Sequence, residues 1–193
     1  MNAQHSQKSM EHGTPAIGVE LARHTLGRID LDPASSSYWN FHTVRAAKFF
    51  DKRANGLRQS WSGMVFVNPP GGVRDENKKL VEPSLVQPFW ERLVEHWERG
   101  KLEGALWWGY SLEQMQTLQS SSWDPMRCIT VVLSARPCHM VRPVGGGPPM
   151  EGESPTHGSF ATLLPSRAGD IARVQIARFR ERAARLGRVV RPM

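Results

Sequence analysis

Asn68-Pro69-Pro70 directly follows the apolar run Met64-Val65-Phe66-Val67, so an amide and two rigid residues stand at the end of a strand. That arrangement suits chemistry on an amino nitrogen. An exocyclic amine on an aromatic ring is a poor nucleophile because its lone pair is delocalised, and two fixed acceptors can localise it. The Asn68 side-chain oxygen and the Pro69 main-chain carbonyl would each accept one N–H and take up charge as it develops. Pro69 and Pro70 restrict the backbone and hold the spacing of the two acceptors. A strand ending in a Pro-Pro turn, with Asn68 as an ordinary turn residue, would leave the same three letters.

A second strand end carries acid. Ile29-Asp30-Leu31-Asp32 reads as a short strand stopped by Pro33, and in an open α/β sheet ligands collect at the carboxyl ends of strands. Asp32, pinned by Pro33, can accept hydrogen bonds from a ribose or an ammonium, or it can cap the Ser-rich turn that follows. Other chemistries lack their residues. There is no glycine-rich dinucleotide fingerprint, and Gly145-Gly146-Gly147 sits beside prolines with no helix after it. No Ser-His-Asp arrangement stands out. Cys128 and Cys138 are too few for a disulfide framework, and Cys138-His139 lacks zinc spacing, so both read as buried free thiols and no metal is expected.

The elements that must position these residues alternate between strand and helix. Thr14-Pro15 reads as a helix start, Thr14 as cap and Pro15 at the first helical position, with Ile17, Leu21 and Leu26 on an inner face and Gly27 at the end. Residues 34–61 read as mixed helix and loop. After the strand Met64 to Val67, residues 71–83 form a polar, basic loop, long enough to suggest a functional one. Ser84 is expected to cap a helix with Phe89, Leu93, Val94 and Trp97 as its stripe and Gly100 near its end. A strand at Ala105 to Tyr110, a helix at Leu112 to Leu118 and strands at Ile129 to Leu133 and His139 to Arg142 follow. Residues 143–158 form a breaker-rich loop, and Phe160 to Leu164 closes the sheet. This order predicts an α/β fold with a largely parallel sheet and helices on both faces.

The 193 residues suit one domain with a short appendage. The division expected is a flexible start at 1–13, a domain at 14–165 and an Arg-rich helix or tail at 166–193. The formal net charge is +7, and eight arginines against Asp170 and Glu181 give the tail +6 of it. Such a tail points to a polyanion or to a solvated helix face. No apolar run approaches a membrane span, and the polar start lacks a signal-peptide core, so a soluble, intracellular protein is expected.

Several motifs in one order make a more specific pattern. Thr14-Pro15, Asp30-Leu31-Asp32-Pro33-Ala34-Ser35, Asn55-Gly56-Leu57 with Trp61, and Phe66-Val67-Asn68-Pro69-Pro70 together resemble the phage-type Dam family of DNA N-6-adenine methyltransferases. Pro88-Phe89-Trp90, Ser111-Leu112-Glu113-Gln114 and Thr156-His157-Gly158-Ser159 agree, so the resemblance covers most of residues 12–164. It implies a Rossmann-like fold, S-adenosylmethionine as methyl donor, and adenine in DNA as acceptor, in the cytoplasm of a bacterial host. Thr14, Pro15, Asp30, Asp32, Pro33 and Ala34 would line the donor site. Asn55, where the family usually has an aspartate, would join them. Asn68, Pro69 and Pro70 would be catalytic. Gly71, Gly72, Arg74, Lys78, Lys79, Arg178, Arg182 and Arg185 would meet nucleic acid.

One position departs from the family. Gly71 stands where most of these enzymes carry Tyr, Phe or Trp to stack on an extruded base, and Trp107, Trp108 and Tyr110 are the candidate substitutes, at least one of them a core residue by alternation. Two other readings keep the residues and change the conclusion. The acceptor could be a cytosine, an RNA base or a glutamine amide, or the chain could be a nucleic-acid-binding protein on a decayed methyltransferase scaffold.

Overall fold

The computed structural model describes residues 12–75, 77, 79–121 and 123–190. The expected flexible start therefore lies, up to residue 11, outside the described residues. The described elements are helices α1 (Ala16–Leu26), α2 (Ser37–Trp39), α3 (Val86–Glu98), α4 (Glu113–Leu118) and α5 (Gly169–Ala183), with strands β1 (Leu31–Asp32), β2 (Lys48–Phe49), β3 (Gly63–Val67), β4 (Val73–Arg74), β5 (Leu80–Glu82), β6 (Leu102–Gly109), β7 (Ile129–Leu133), β8 (Met140–Val141), β9 (Met150–Glu151), β10 (Phe160–Leu164) and β11 (Gly187–Val190).

Seven strands make the central sheet in the order β11-β7-β10-β6-β3-β1-β2. From β2 to β6 neighbours are parallel, whereas β10 runs antiparallel to both β6 and β7, and β11 antiparallel to β7. Five strands thus point one way and two the other. Alternation along each strand divides the core. Met64 and Phe66 of β3 and Leu106 and Trp108 of β6 join α1 and α5 on one face. Val65, Val67, Ala105 and Trp107 join Phe89, Trp90 and Leu93 of α3 on the other. Both tryptophans of β6 are fully buried, which removes Trp107 and Trp108 as candidate stacking rings.

Several elements differ from the sequence reading. The basic loop after Pro70 contains the antiparallel hairpin β4–β5, closed by Asp75, whose carboxylate accepts from the Asn77 and Lys79 N–H groups at 2.9 and 2.8 Å. The breaker-rich stretch 143–158 holds β9, which pairs with β8 in a separate ribbon. Phe160 to Leu164 enters the middle of the sheet instead of closing its edge. The basic tail is built into the fold: Phe179 and Ala183 of α5 are fully buried, and β11 forms an edge of the sheet. Ile171 and Val174 of that helix are exposed. Of the two free cysteines, Cys128 is buried, with its thiol pushed up to about 12 mainly by burial, and Cys138 is half-buried. No helix among the described residues is long and apolar enough to cross a membrane.

Candidate active site

The chain leaves β1 toward β2 on one side and leaves β3 toward β6 on the other, so the sheet's topological switch point lies between β1 and β3. Ligands in open α/β sheets bind in the crevice beyond the carboxyl ends of the strands at that point. Asp32 ends β1 and Asn68 follows β3. The register pairs Leu31 with Val65, and carried three residues further it sets Ala34 level with Asn68. The two strand-end motifs therefore share one rim.

Asn68 is held by its nitrogen. Its Nδ2 donates to Thr14 Oγ1 at 2.9 Å, while its Oδ1 is buried with no hydrogen-bond partner. Thr14 does not cap α1 as expected; the helix begins after Pro15 with no side-chain cap, and the Thr14 hydroxyl orients the amide instead. Of the two proline carbonyls, that of Pro70 accepts from Leu85 N–H at 3.1 Å, and that of Pro69 accepts none among the described residues. Two acceptors on adjacent residues thus have nothing to accept among the described residues. A buried oxygen without a partner is uncommon, because its desolvation goes uncompensated.

Asp32 is 3 % exposed, and one carboxylate oxygen accepts from Ala34 N–H at 3.1 Å. It therefore does cap the turn after Pro33. Burial raises its carboxyl pKa to about 7, against the lowering effects of the Ala34 N–H and the Ser35 hydroxyl. The folded value exceeds the ordinary 3.8, so the stability this group contributes is fully present below about pH 4 and is lost as pH rises through 7. Asp32→Asn should stabilise the fold at pH 8 by at most on the order of 4 kcal/mol, read as a raised thermal midpoint, with the gain vanishing near pH 4. Thermal unfolding across that range checks it.

Asp30 is not part of this rim. Its carboxylate accepts from Met64 N–H (2.8 Å) and from Arg28 Nε (2.8 and 3.0 Å), and Arg28 also reaches Glu103 at 2.7 Å. These contacts tie together the amino ends of β1, β3 and β6, the opposite end of the sheet. The expected donor contact from Asp30 is withdrawn: residues two apart share a face but not an end of the strand.

Asn55 adopts a left-handed backbone (φ 52°) and its Oδ1 accepts from Leu57 N–H at 3.2 Å, so its oxygen serves the local turn. The next residue matters more. A Cβ on Gly56 would lie 2.0 Å from the Pro33 carbonyl oxygen, and Trp61 Nε1 donates to the Gly56 carbonyl at 2.8 Å. The Asn-Gly-Leu…Trp spacing thus seats this loop directly on the turn after β1. Gly56→Ala should cost roughly 1–3 kcal/mol through the clash, read as a lowered denaturation midpoint.

The nucleic-acid candidates are spread out. Gly71 and Gly72 sit at the rim, where Gly72 packs at the base of the hairpin beside Ser84 N and the Glu82 carbonyl. The Arg74 backbone lies in β4 and Lys79 is exposed beside the hairpin, whereas Lys78 falls outside the described residues. A pair between Lys52 and Glu82 (3.1 Å) ties the hairpin to the loop after β2. The tail arginines do not gather at this rim. Arg178 lies against Gly27 at the far end of α1, and Arg182 pairs with Glu20 at 2.9 Å. Arg185 is exposed just before the turn whose Leu186 carbonyl accepts from Ser134 beyond β7.

Gln114 stands in the sequence as the last residue of Ser111-Leu112-Glu113-Gln114, with no site role expected of it. It is 6 % exposed and neither amide atom has a hydrogen-bond partner. Its place near Tyr110 depends on the turn after β6, which no local pattern reveals. Among the described residues no three His, Cys, Asp or Glu side chains gather as a metal site. The chain matches no protein-family model and no curated protein sequence.

Proposed function

We propose that this protein is a methyltransferase of Rossmann-like fold that transfers a methyl group from S-adenosylmethionine to the exocyclic amino group of adenine in DNA. The observation that carries the reading is the pair of unfilled acceptors, Asn68 Oδ1 and the Pro69 carbonyl, at the switch point of the sheet.

The residues at the rim fit the donor. Asp32 offers a buried carboxylate oxygen to a ribose hydroxyl or an ammonium, and the first N–H groups of α1, just after Pro15, favour a carboxylate. The Pro33 turn and the Gly56 loop form the adjoining wall. When bound, the donor supplies an electrophilic methyl on a sulfonium.

Asn68 Oδ1 and the Pro69 carbonyl each accept one N–H of the incoming amine. That draws the nitrogen toward tetrahedral geometry and frees its lone pair. With the donor bound, the freed lone pair would take the methyl that the sulfonium supplies, leaving a neutral thioether, and one N–H proton would depart to water. The two acceptors share the positive charge while it exists, which is where preorganised dipoles act most strongly. A net charge of +7 supports a polyanionic acceptor over a protein one, and an adenine inside a duplex would have to be extruded. Incubation with labelled donor and unmodified DNA, followed by digestion to nucleosides, tests the proposal. Label in N-6-methyl-2′-deoxyadenosine is expected, and label in another nucleoside, or in none, overturns it.

A further inference from the structure

Gly71 leaves a gap in the residue after the Asn-Pro-Pro turn, and the gap is filled from another strand. A Cβ built on Gly71 would lie 2.3 Å from the Tyr110 hydroxyl oxygen and 3.1 Å from its Cζ. A side chain at position 71 would therefore collide with the hydroxyl end of Tyr110. The placement follows from register: β3 and β6 are parallel with Val67 opposite Trp107, and three residues on, Pro70 and Tyr110 stand level at the same end of the sheet. Trp107 and Trp108 are sealed in the two cores, whereas Tyr110 remains partly exposed at the rim.

The far end of the ring is also constrained. Gln114 lies close to the Tyr110 hydroxyl without reaching hydrogen-bond geometry, and its buried amide has no other partner. Burial raises the phenol's pKa and Gln114 acts in the opposite direction, so the hydroxyl stays protonated at neutral pH. A planar ring, edged by an unsatisfied amide and next to the two free acceptors of Asn68 and Pro69, is suited to a flat, amino-bearing heterocycle. Stacking of a base on such a ring is worth about 1–3 kcal/mol.

We propose that Tyr110 forms the stacking wall of the acceptor site, a nucleobase lying against its ring, in the space that a side chain at position 71 would occupy. The proposal rests on the methyl-transfer reading for its choice of acceptor. It assigns substrate positioning to β6 and leaves the turn after β3 to polarise the amine. Gly71 is then a requirement of the site, since only a residue without a Cβ leaves Tyr110 its place.

A ring swap tests this. Initial rates with labelled donor and unmodified DNA should show Tyr110→Ala raising the acceptor KM about tenfold or more with the donor KM unchanged, and Tyr110→Phe staying within about threefold of wild type. Gly71→Tyr alone should lose most acceptor binding through the overlap. The double variant Gly71→Tyr/Tyr110→Ala should recover most of that loss, with all four variants matched to the wild type by circular dichroism. Independently of turnover, an oligonucleotide carrying 8-azidoadenine should photocrosslink at position 110 in the wild type and at position 71 in the double variant. An unchanged acceptor KM in Tyr110→Ala, a double variant no better than Gly71→Tyr, or a crosslink elsewhere overturns the wall. Transfer to adenine with Tyr110→Ala unaffected removes the wall and leaves the function standing. A crosslink at position 110 without methyl transfer does the reverse.

Discussion

Asn68→Ala should lower the proposed methyl transfer about 10²–10³-fold while leaving S-adenosylmethionine binding within a fewfold of wild type. The amide oxygen is the one acceptor of the pair that a substitution can delete, since the Pro69 carbonyl belongs to the backbone. Removing a single preorganised dipole aimed at developing charge costs about 10²–10³ in turnover. The loss should fall on kcat because the amine gains its positive charge only on the way to the transition state. Stability should change little, by about 1 kcal/mol, as one bond from Nδ2 to Thr14 disappears and an unsatisfied buried oxygen disappears with it. Asn68→Asp separates acceptor from donor. It keeps an oxygen for the amine but cannot donate to Thr14, whose hydroxyl can turn to donate instead, so it should retain more activity than Asn68→Ala. Thr14→Val removes the group that orients the amide and should lower kcat without erasing it. Wild-type turnover in Asn68→Ala, with transfer to DNA otherwise present, would move the chemistry away from this turn.

The parts of this site that could be read from sequence are those in which local pattern and position along a strand coincide. Met64 to Val67 is a buried run ending in Pro-Pro, so both the strand and the place of Asn68 follow from adjacency. Asp30 shows the limit of that reasoning. The alternation that groups it with Asp32 is correct, yet its partners are Arg28 and Met64 at the other end of the sheet. Strand direction was equally hidden: nothing in Phe160 to Leu164 encodes that it inserts antiparallel between β6 and β7. β2 has two residues and no alternation to detect. β11 was lost because the Arg-rich pattern of α5 runs on through Arg185 and Arg188, which masks a four-residue edge strand. The nearness of Tyr110 to Gly71 is a product of β3–β6 register, a long-range quantity, and so sequence leaves Trp107, Trp108 and Tyr110 as candidates, with alternation sending at least one of them to the core.

Deletion of residues 166–193 should destroy the fold, and with it any test of DNA binding by truncation. The deletion removes Phe179 and Ala183, both fully buried among residues of α1 and β6, and the edge strand β11. It also removes Gln175, whose side chain accepts from Ser166 N–H at 2.7 Å and donates to the Glu103 carbonyl at 2.9 Å and to Met64 Sδ at 3.3 Å. Phe179→Ala alone should cost about 3–5 kcal/mol, a large share of the roughly 5–15 kcal/mol that holds a domain together. The truncated chain is therefore expected to lack a cooperative thermal transition, and a sharp one would show that 166–193 is dispensable. Charge and fold can be separated only by single substitutions. Arg178 lies beside Gly27 at the far end of the sheet and Arg182 is engaged by Glu20, so Arg178→Gln should leave the salt dependence of DNA binding unchanged. Arg185 is exposed at the carboxyl end of β7. If it neutralises a phosphate, Arg185→Gln lowers the magnitude of the slope of log K against log salt by about 1. An equal response from both arginines would mean that the tail acts through its total charge, with no contact of its own to the backbone of the nucleic acid.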